Sequence, residues 1–222
     1  MCKLKSAIIL KDRVFIPDYD SHSDMLRELK IKDTRENAER LFVRAELSPK
    51  DGDVFSPVDT WEFTVDQDIV PEWFVKEVDK ERMVTAVKEW TKTHIFVGVD
   101  GLKIESGKEY YLKDCKNVEI SNSTVEAWGN STVKAYNNST VEAWGNSTVK
   151  AYNNSTVKAC DNSTVKAYNN STVKACDNST VIKTTTSLFN NKTNLILSEN
   201  ATFKDCYAKI IYQSGDWELR KA

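Results

Sequence analysis

The stretch from Asn122 to Thr185 constrains this chain more than any other. It reads as eight octads, of which seven fit N-S-T-V-(E/K)-A-(W/Y/C)-(G/N/D), and the eighth decays into Asn178-Ser-Thr-Val-Ile-Lys-Thr-Thr185. A fixed short period is the signature of a repeat architecture in which each unit covers its neighbour's core. Each octad divides into six residues of strand and two of turn. Gly-Asn, Asn-Asn and Asp-Asn suit the turn because they tolerate positive φ. Alternation along a strand puts Ser123, Val125 and Ala127 on one face and Thr124, Glu126 and Trp128 on the other. A charge in every regular octad marks the second face as the solvated one.

A longer period lies on top. The seventh octad position runs Trp128, Tyr136, Trp144, Tyr152, Cys160, Tyr168, Cys176, so Tyr recurs every 16 residues. Residues 122–137 are identical to residues 138–153. The expected coil is therefore two octads, one coil of a β-solenoid. Tyr136, Tyr152 and Tyr168 form one ladder, and Trp128, Trp144, Cys160 and Cys176 the other. An up-and-down meander is the rival. With two-residue turns it pairs Val125 with Lys134 and swaps the buried set at every strand. Three-residue loops repair that pairing but leave one thin sheet whose Val/Ala face lacks a cover. Eight octads make four coils, a stack of roughly 19 Å at about 4.8 Å per strand.

The core of such a stack is small, so ladder hydrogen bonds and Asn stacking at the turns must supply much of the order. A net charge of −2 argues against partnership with nucleic acid, and the repeat itself sets six Lys against Glu126, Glu142, Asp161 and Asp177. The opening Met1-Cys-Lys-Leu-Lys-Ser-Ala-Ile-Ile-Leu10 has too short an apolar run for a signal peptide, and no stretch has the length of a membrane span. Five scattered cysteines (2, 115, 160, 176 and 206) fit reduced thiols in a cytosol, with Cys160 and Cys176 on adjacent coils and within reach of a disulfide if oxidised. Asn-Ser-Thr is formally a glycosylation acceptor, but the turn and strand preferences produce the same string.

Outside the octads the periodicity is mixed. Residues 6–10 and 14–17 read as short strands, 24–30 as a helix capped by Ser21 or Ser23, and 34–41 as a second short helix capped by Asp33 or Thr34. Strands at 41–47 and 61–65 come next. Pro71 suits the first turn of a helical segment over 72–92, with Phe74, Val75, Val78, Ala86, Val87 and Trp90 as its apolar stripe. The expected division is an α+β head over 1–112 that caps the solenoid, the solenoid over 113–189, and degenerate repeats with a C-terminal cap over 190–222. Leu195-Ile-Leu and Asn200–Tyr207 are worn octads, and Ile210, Ile211, Tyr212 and Trp217 are candidates to close the open end. Asp18, Asp20, His22 and Asp24 are weak metal or acid–base candidates, because carboxylates and imidazole suit divalent ions. Helix capping explains the same cluster more economically. With His94 they complete the set available to an enzyme. No phosphate loop, zinc spacing or nucleophile signature accompanies them, so no catalytic residue and no cofactor is expected.

The segments Lys3–Val14, Asp18–His22, Val65–Phe74 and Tyr111–Val118 resemble an uncharacterised family of bacteria and their viruses that joins a similar head to S/A-T-V octads. That resemblance implies a cytoplasmic bacterial or phage-infected setting and supplies no activity. A weaker resemblance is to bacterial ice-nucleation repeats, which share 16-residue coils and a Tyr ladder. Tyr136-Asn-Asn-Ser-Thr140 is similar to their tyrosine segment, whereas their T-x-T face is replaced here by Thr-Val-Lys or Thr-Val-Glu.

Three functional readings follow. The first is a non-enzymatic structural or interaction protein that binds a protein partner or itself through the solenoid, with Trp128, Tyr136, Trp144, Tyr152 and Tyr168 as the binding residues, or as rings that lie flat at the coil edge and stack for stability alone. The second is an enzyme or regulator in the head, with the solenoid as spacer or oligomerisation arm. The third is an ice- or carbohydrate-binding solenoid.

Overall fold

The computed structural model describes residues 5–183, 194–205, 210–213 and 220–221. The chain divides into two compact units, one ending at Ile95 and one beginning at Phe96. Among the described residues no helix is long and apolar enough to cross a membrane.

The first unit is α+β. Its elements are β1 (Lys5–Leu10), β2 (Val14–Phe15), α1 (His22–Glu28), α2 (Arg35–Ala38), β3 (Phe42–Ser48), β4 (Glu62–Val65) and α3 (Lys76–His94). The strands form an antiparallel sheet in the order β2-β1-β3-β4. β1 is buried along its whole length because both faces of the sheet are covered. Ala7 and Ile9 join Val43, Ala45 and Leu47 against Met83, Val84 and Val87 of α3. Ile8, Leu10 and Phe42 meet Met25 and Leu26 of α1 on the opposite face. Ser21 caps α1 by accepting from Asp24 N at 3.3 Å, and Thr34 caps α2 by accepting from Asn37 N at 3.3 Å.

The long helix departs from expectation at its start. It opens at Lys76, not beside Pro71, because the Asp79 carboxylate accepts from Val75 N at 2.9 Å and closes the first turn there. Its buried stripe is Asp79, Met83, Val84, Val87 and His94. Val75 and Val78 fall off that stripe and are 54% and 55% exposed.

Residues 95–183 form a β-solenoid of about six coils, with 16 residues per coil. Its strands are β5 (Ile95–Val97), β6 (Lys103–Ile104), β7 (Glu109–Lys113), β8 (Val118–Ser121), β9 (Thr124–Trp128), β10 (Thr132–Tyr136), β11 (Thr140–Ala143), β12 (Thr148–Ala151), β13 (Thr156–Ala159), β14 (Thr164–Ala167), β15 (Thr172–Ala175), β16 (Thr180–Lys183), β17 (Asn194–Leu197) and β18 (Thr202–Asp205). Odd-numbered strands make one sheet and even-numbered strands the other. Pairing from β7 to β17 and from β6 to β18 is parallel. Thr124, Thr140, Thr156 and Thr172 lie in one column, each 16 residues from the next. Antiparallel neighbours, which a meander requires, do not occur among these pairings.

Ser, Val and Ala of the octads are buried, as alternation demands. A hydroxyl in so dry a core needs an acceptor. Five of the serines find one three residues back, at the corner carbonyl: Ser131 to Trp128, Ser139 to Tyr136, Ser147 to Trp144, Ser155 to Tyr152 and Ser179 to Cys176, at 2.5–2.8 Å.

The sheets run back to Ile95, well before the expected start near Lys113. Tyr110 and Leu112 stack on Val125 and Ala127, and Val118 and Ile120 on Val133 and Ala135. Larger apolar residues thus fill the same columns with no octad identity to mark them. At the other end β17 and β18 continue the stack as worn octads. There Thr180 pairs with Thr202, 22 residues on, so six extra residues enter between Lys183 and Asn194. β19 (Ile210–Gln213) then pairs antiparallel with β18, and β20 (Arg220–Lys221) with β19, which ends the parallel run in that sheet. Tyr212 stacks on Phe203, whereas Trp217 and Cys206 lie outside the described residues.

This register makes whole coils interchangeable and half-coils not. Deleting residues 138–153 should leave the melting temperature within a few degrees of the full-length chain. Deleting the single octad 146–153 transfers every later strand to the other sheet and sets Tyr168 over Trp144. Thermal circular dichroism should show that variant melting roughly 5–10 °C lower, the shift expected for about 2–3 kcal/mol in a chain of this size.

Candidate functional site

The coils turn at two kinds of corner. After each Tyr, two residues take left-handed φ: Asn137 and Asn138 (48° and 58°), Asn153 and Asn154 (48° and 62°), Asn169 and Asn170 (40° and 55°). After Trp or Cys only the first does so: Gly129, Gly145, Asp161 and Asp177. The last strand residue lies at the bend, where its ring settles over the ring one coil away. Tyr136 stacks on Tyr152 at 4.9 Å and 10°, Tyr152 on Tyr168 at 4.6 Å and 8°, and Trp128 on Trp144 at 5.3 Å and 15°. These residues lie outside the Val/Ala core, as alternation requires, yet they are half-buried and spend their ring faces on one another. Burial, followed by the neighbouring Tyr168 and Tyr136, raises the Tyr152 phenol above the ordinary tyrosine range.

A column of carboxylates follows the Trp/Cys corner. Asn130 N donates to Asp114 at 2.9 Å, Gly145 N to Asp161 at 2.8 Å, Asp161 N to Asp177 at 2.9 Å and Asp177 N to Glu199 at 2.9 Å. The backbone donors hold Asp114 and Asp177 below the usual carboxylate range. Gly145 has φ +68°, and a Cβ there would stand 3.0 Å from Gly129 O. Asn side chains add bonds between coils, Asn169 to Asn153 at 3.3 Å and Asn162 to Asn146 at 3.5 Å. At the same corner Cys160 is buried and Cys176 half-buried. Burial is the main cause that pushes the Cys176 thiol up to about 12, which keeps it protonated and a poor nucleophile at neutral pH.

The broad faces carry columns of Thr and charge. On the even sheet Lys134, Lys150 and Lys166 stand in register, with Glu119 beneath them and Ile182 above. On the odd sheet the column runs Glu126, Glu142, Lys158, Lys174. Lys134 pairs with Glu119 at 2.8 Å and Lys158 with Glu142 at 3.4 Å.

The head disperses its acidic cluster. Asp24 pairs with Arg27 at 2.6 Å, and His22 with Asp66 at 3.2 Å and the Ala45 carbonyl at 3.3 Å. Asp20 takes Lys5 at 2.8 Å and Ser6 N at 3.0 Å, while Asp18 lies 3.0 Å from His94. The four weak metal candidates thus face four different partners, and His22 instead shares a corner with Glu46 and Asp66. Asp18 and Asp20 are nonetheless linked to one ring, through His94 and Lys5. His94 stacks on Trp90 at 4.3 Å, and the buried Lys5 places Nζ 5.0 Å from the same indole. Nothing in the sequence marks Lys5 as buried, because its partners come from a loop and a distant helix.

No known family model, curated protein or solved structure matches this chain.

Two outcomes test the corners. Gly145→Ala forces a side chain into a left-handed, crowded position and should cost about 1–3 kcal/mol, read by denaturant unfolding. Tyr152 favours its neutral form in the fold, so its contribution is complete below the unfolded tyrosine value of about 10 and is lost as the pH rises through that value and beyond. Melting temperatures should therefore fall at high alkaline pH, and Tyr152→Phe should fall less.

Proposed function

We propose that this chain is a non-enzymatic interaction protein whose solenoid offers a repeated surface to a protein partner, a second copy of the chain included. The lysine column carries this reading. Lys134, Lys150 and Lys166 lie over one another at about 4.8 Å spacing, between a Thr column and the Tyr ladder. Like charges in register oppose folding, and Glu119 answers only the first of them. An acidic partner surface relieves that repulsion. Glu126 and Glu142 on the opposite sheet, the second already paired with Lys158, are the acidic residues at the level of the same coils. A head-to-tail contact between copies, odd sheet on even sheet, would bring the two columns together. Trp128, Tyr136, Trp144, Tyr152 and Tyr168 contribute ring edges, and the tyrosines hydroxyls, at the rim of that surface. The setting is the cytoplasm of a bacterium or a phage-infected cell, as the family resemblance implies.

A second reading places an enzyme or regulator in the head, with the solenoid as spacer or oligomerisation arm. It is favoured by the Asp18–His94 pair beside buried Lys5 and Asp20, groups suited to proton transfer. Ice or carbohydrate binding by the Thr columns is a third, and the charged column beside each Thr column weighs against it.

Sedimentation velocity on the full-length chain tests the first reading. Species heavier than a monomer should appear at low salt, recede as salt screens the columns, and be absent in Lys150→Ser/Lys166→Ser, whose melting temperature holds or rises. A chain monomeric at every salt concentration, combined with capture of host proteins that the double variant leaves unaltered, would sink it.

A further inference from the structure

The Cys160–Cys176 corner has a chemistry that neither the core nor the contact surface above uses. Along this edge the ladder runs Trp128, Trp144, Cys160, Cys176, and each Cys is followed by Asp where each Trp is followed by Gly. The parallel register sets Cys176 one coil beyond Cys160, with Cys176 N donating to Ala159 O at 2.9 Å. Both sulfurs and a carboxylate oxygen of Asp177 lie within 4.8 Å of one another. Cys160 is only 3% exposed, and Asp177 stands at the solvent side of the pair.

We propose that Cys160, Cys176 and Asp177 form a three-donor site for a thiophilic divalent cation of the zinc type, which clamps two adjacent coils together. Zinc–sulfur bonds of about 2.3 Å in a tetrahedron put two sulfurs roughly 3.8 Å apart, so the three donors converge on one ion after small side-chain rotations. Two soft thiolates select such an ion over magnesium or calcium. Asp177 is already oriented, because its Oδ2 accepts from Asp161 N at 2.9 Å. A disulfide suits the geometry less well. In-register neighbours on parallel strands stand about 4.8 Å apart and project the same way, whereas a disulfide needs Cβ atoms at about 3.8 Å. An ion bridges that gap without drawing the coils together. Binding exchanges the two thiol protons for the metal, with no change of oxidation state, and leaves the fourth position to water.

Cobalt(II), a spectroscopic stand-in for zinc, tests the site on the full-length chain held reduced by a phosphine. One equivalent should produce a thiolate-to-cobalt charge-transfer band with the visible pattern of a tetrahedral ion, and zinc should displace it. The band should vanish in Cys160→Ser/Cys176→Ser. It should vanish equally in Cys160→Trp/Cys176→Trp, which extends the indole ladder and serves where the serine pair fails to fold. Asp177→Asn should weaken binding, and His22→Ala should leave it unchanged. No stoichiometric thiolate band in the unaltered chain, or a band that survives the folded double variant, overturns the proposal. So does a chain that binds no cobalt yet forms a Cys160–Cys176 disulfide in air.

Discussion

Parallel hydrogen bonding between each strand and the strand one coil later is the constraint on which the rest of the solenoid depends. Strict parallel register over 16 residues puts Val on Val, Ala on Ala and Thr on Thr. The buried side chains are small, so burial per coil is modest and the ladder must be complete. Each coil therefore has to return to the same place, and the corners enforce that return. The two left-handed asparagines after each Tyr, the single left-handed residue after each Trp or Cys, and the serine that ties itself to the corner carbonyl all close the path at a fixed length.

The same register turns single-residue choices into columns. A Lys repeated at one octad position becomes a line of positive charge, a Tyr becomes a stack, and an Asp becomes a rung that accepts from the backbone of the coil before it. Columns also explain why glycine persists at Gly129 and Gly145. There the neighbouring coil's carbonyl, or the Asp114 carboxylate, occupies the space a side chain would need.

Identity between octads makes the coil length, the buried face and the ladders legible in the sequence alone. Three features are not. Coils over 95–121 keep the pattern but not the residues, and a 15-residue offset between Glu109 and Thr124 breaks the octad count. The depth of the corner aromatics is left open, because alternation reports only which side of a strand a residue is on, and rings there can equally face a partner or lie at the coil edge stacked on their neighbours. In the head, Ser21 and Thr34 were readable as caps because capping is local. The Lys5–Asp20 and Asp18–His94 pairs join residues far apart in the chain, so no local rule points to them.

Asp161 reaches back to Gly145, Asp177 to Asp161 and Glu199 to Asp177, so each of these carboxylates bonds to the coil made before it. Through the regular octads each strand's partner also lies only 16 residues behind it. A nascent chain leaving a ribosome thus meets a finished template for each new coil as soon as that coil emerges. Assembly can run vectorially, from the amino end to the carboxyl end, without waiting for distant segments. The antiparallel β19 and β20 then end the even sheet on strands that no longer repeat the coil, so the next parallel strand has no matching template there.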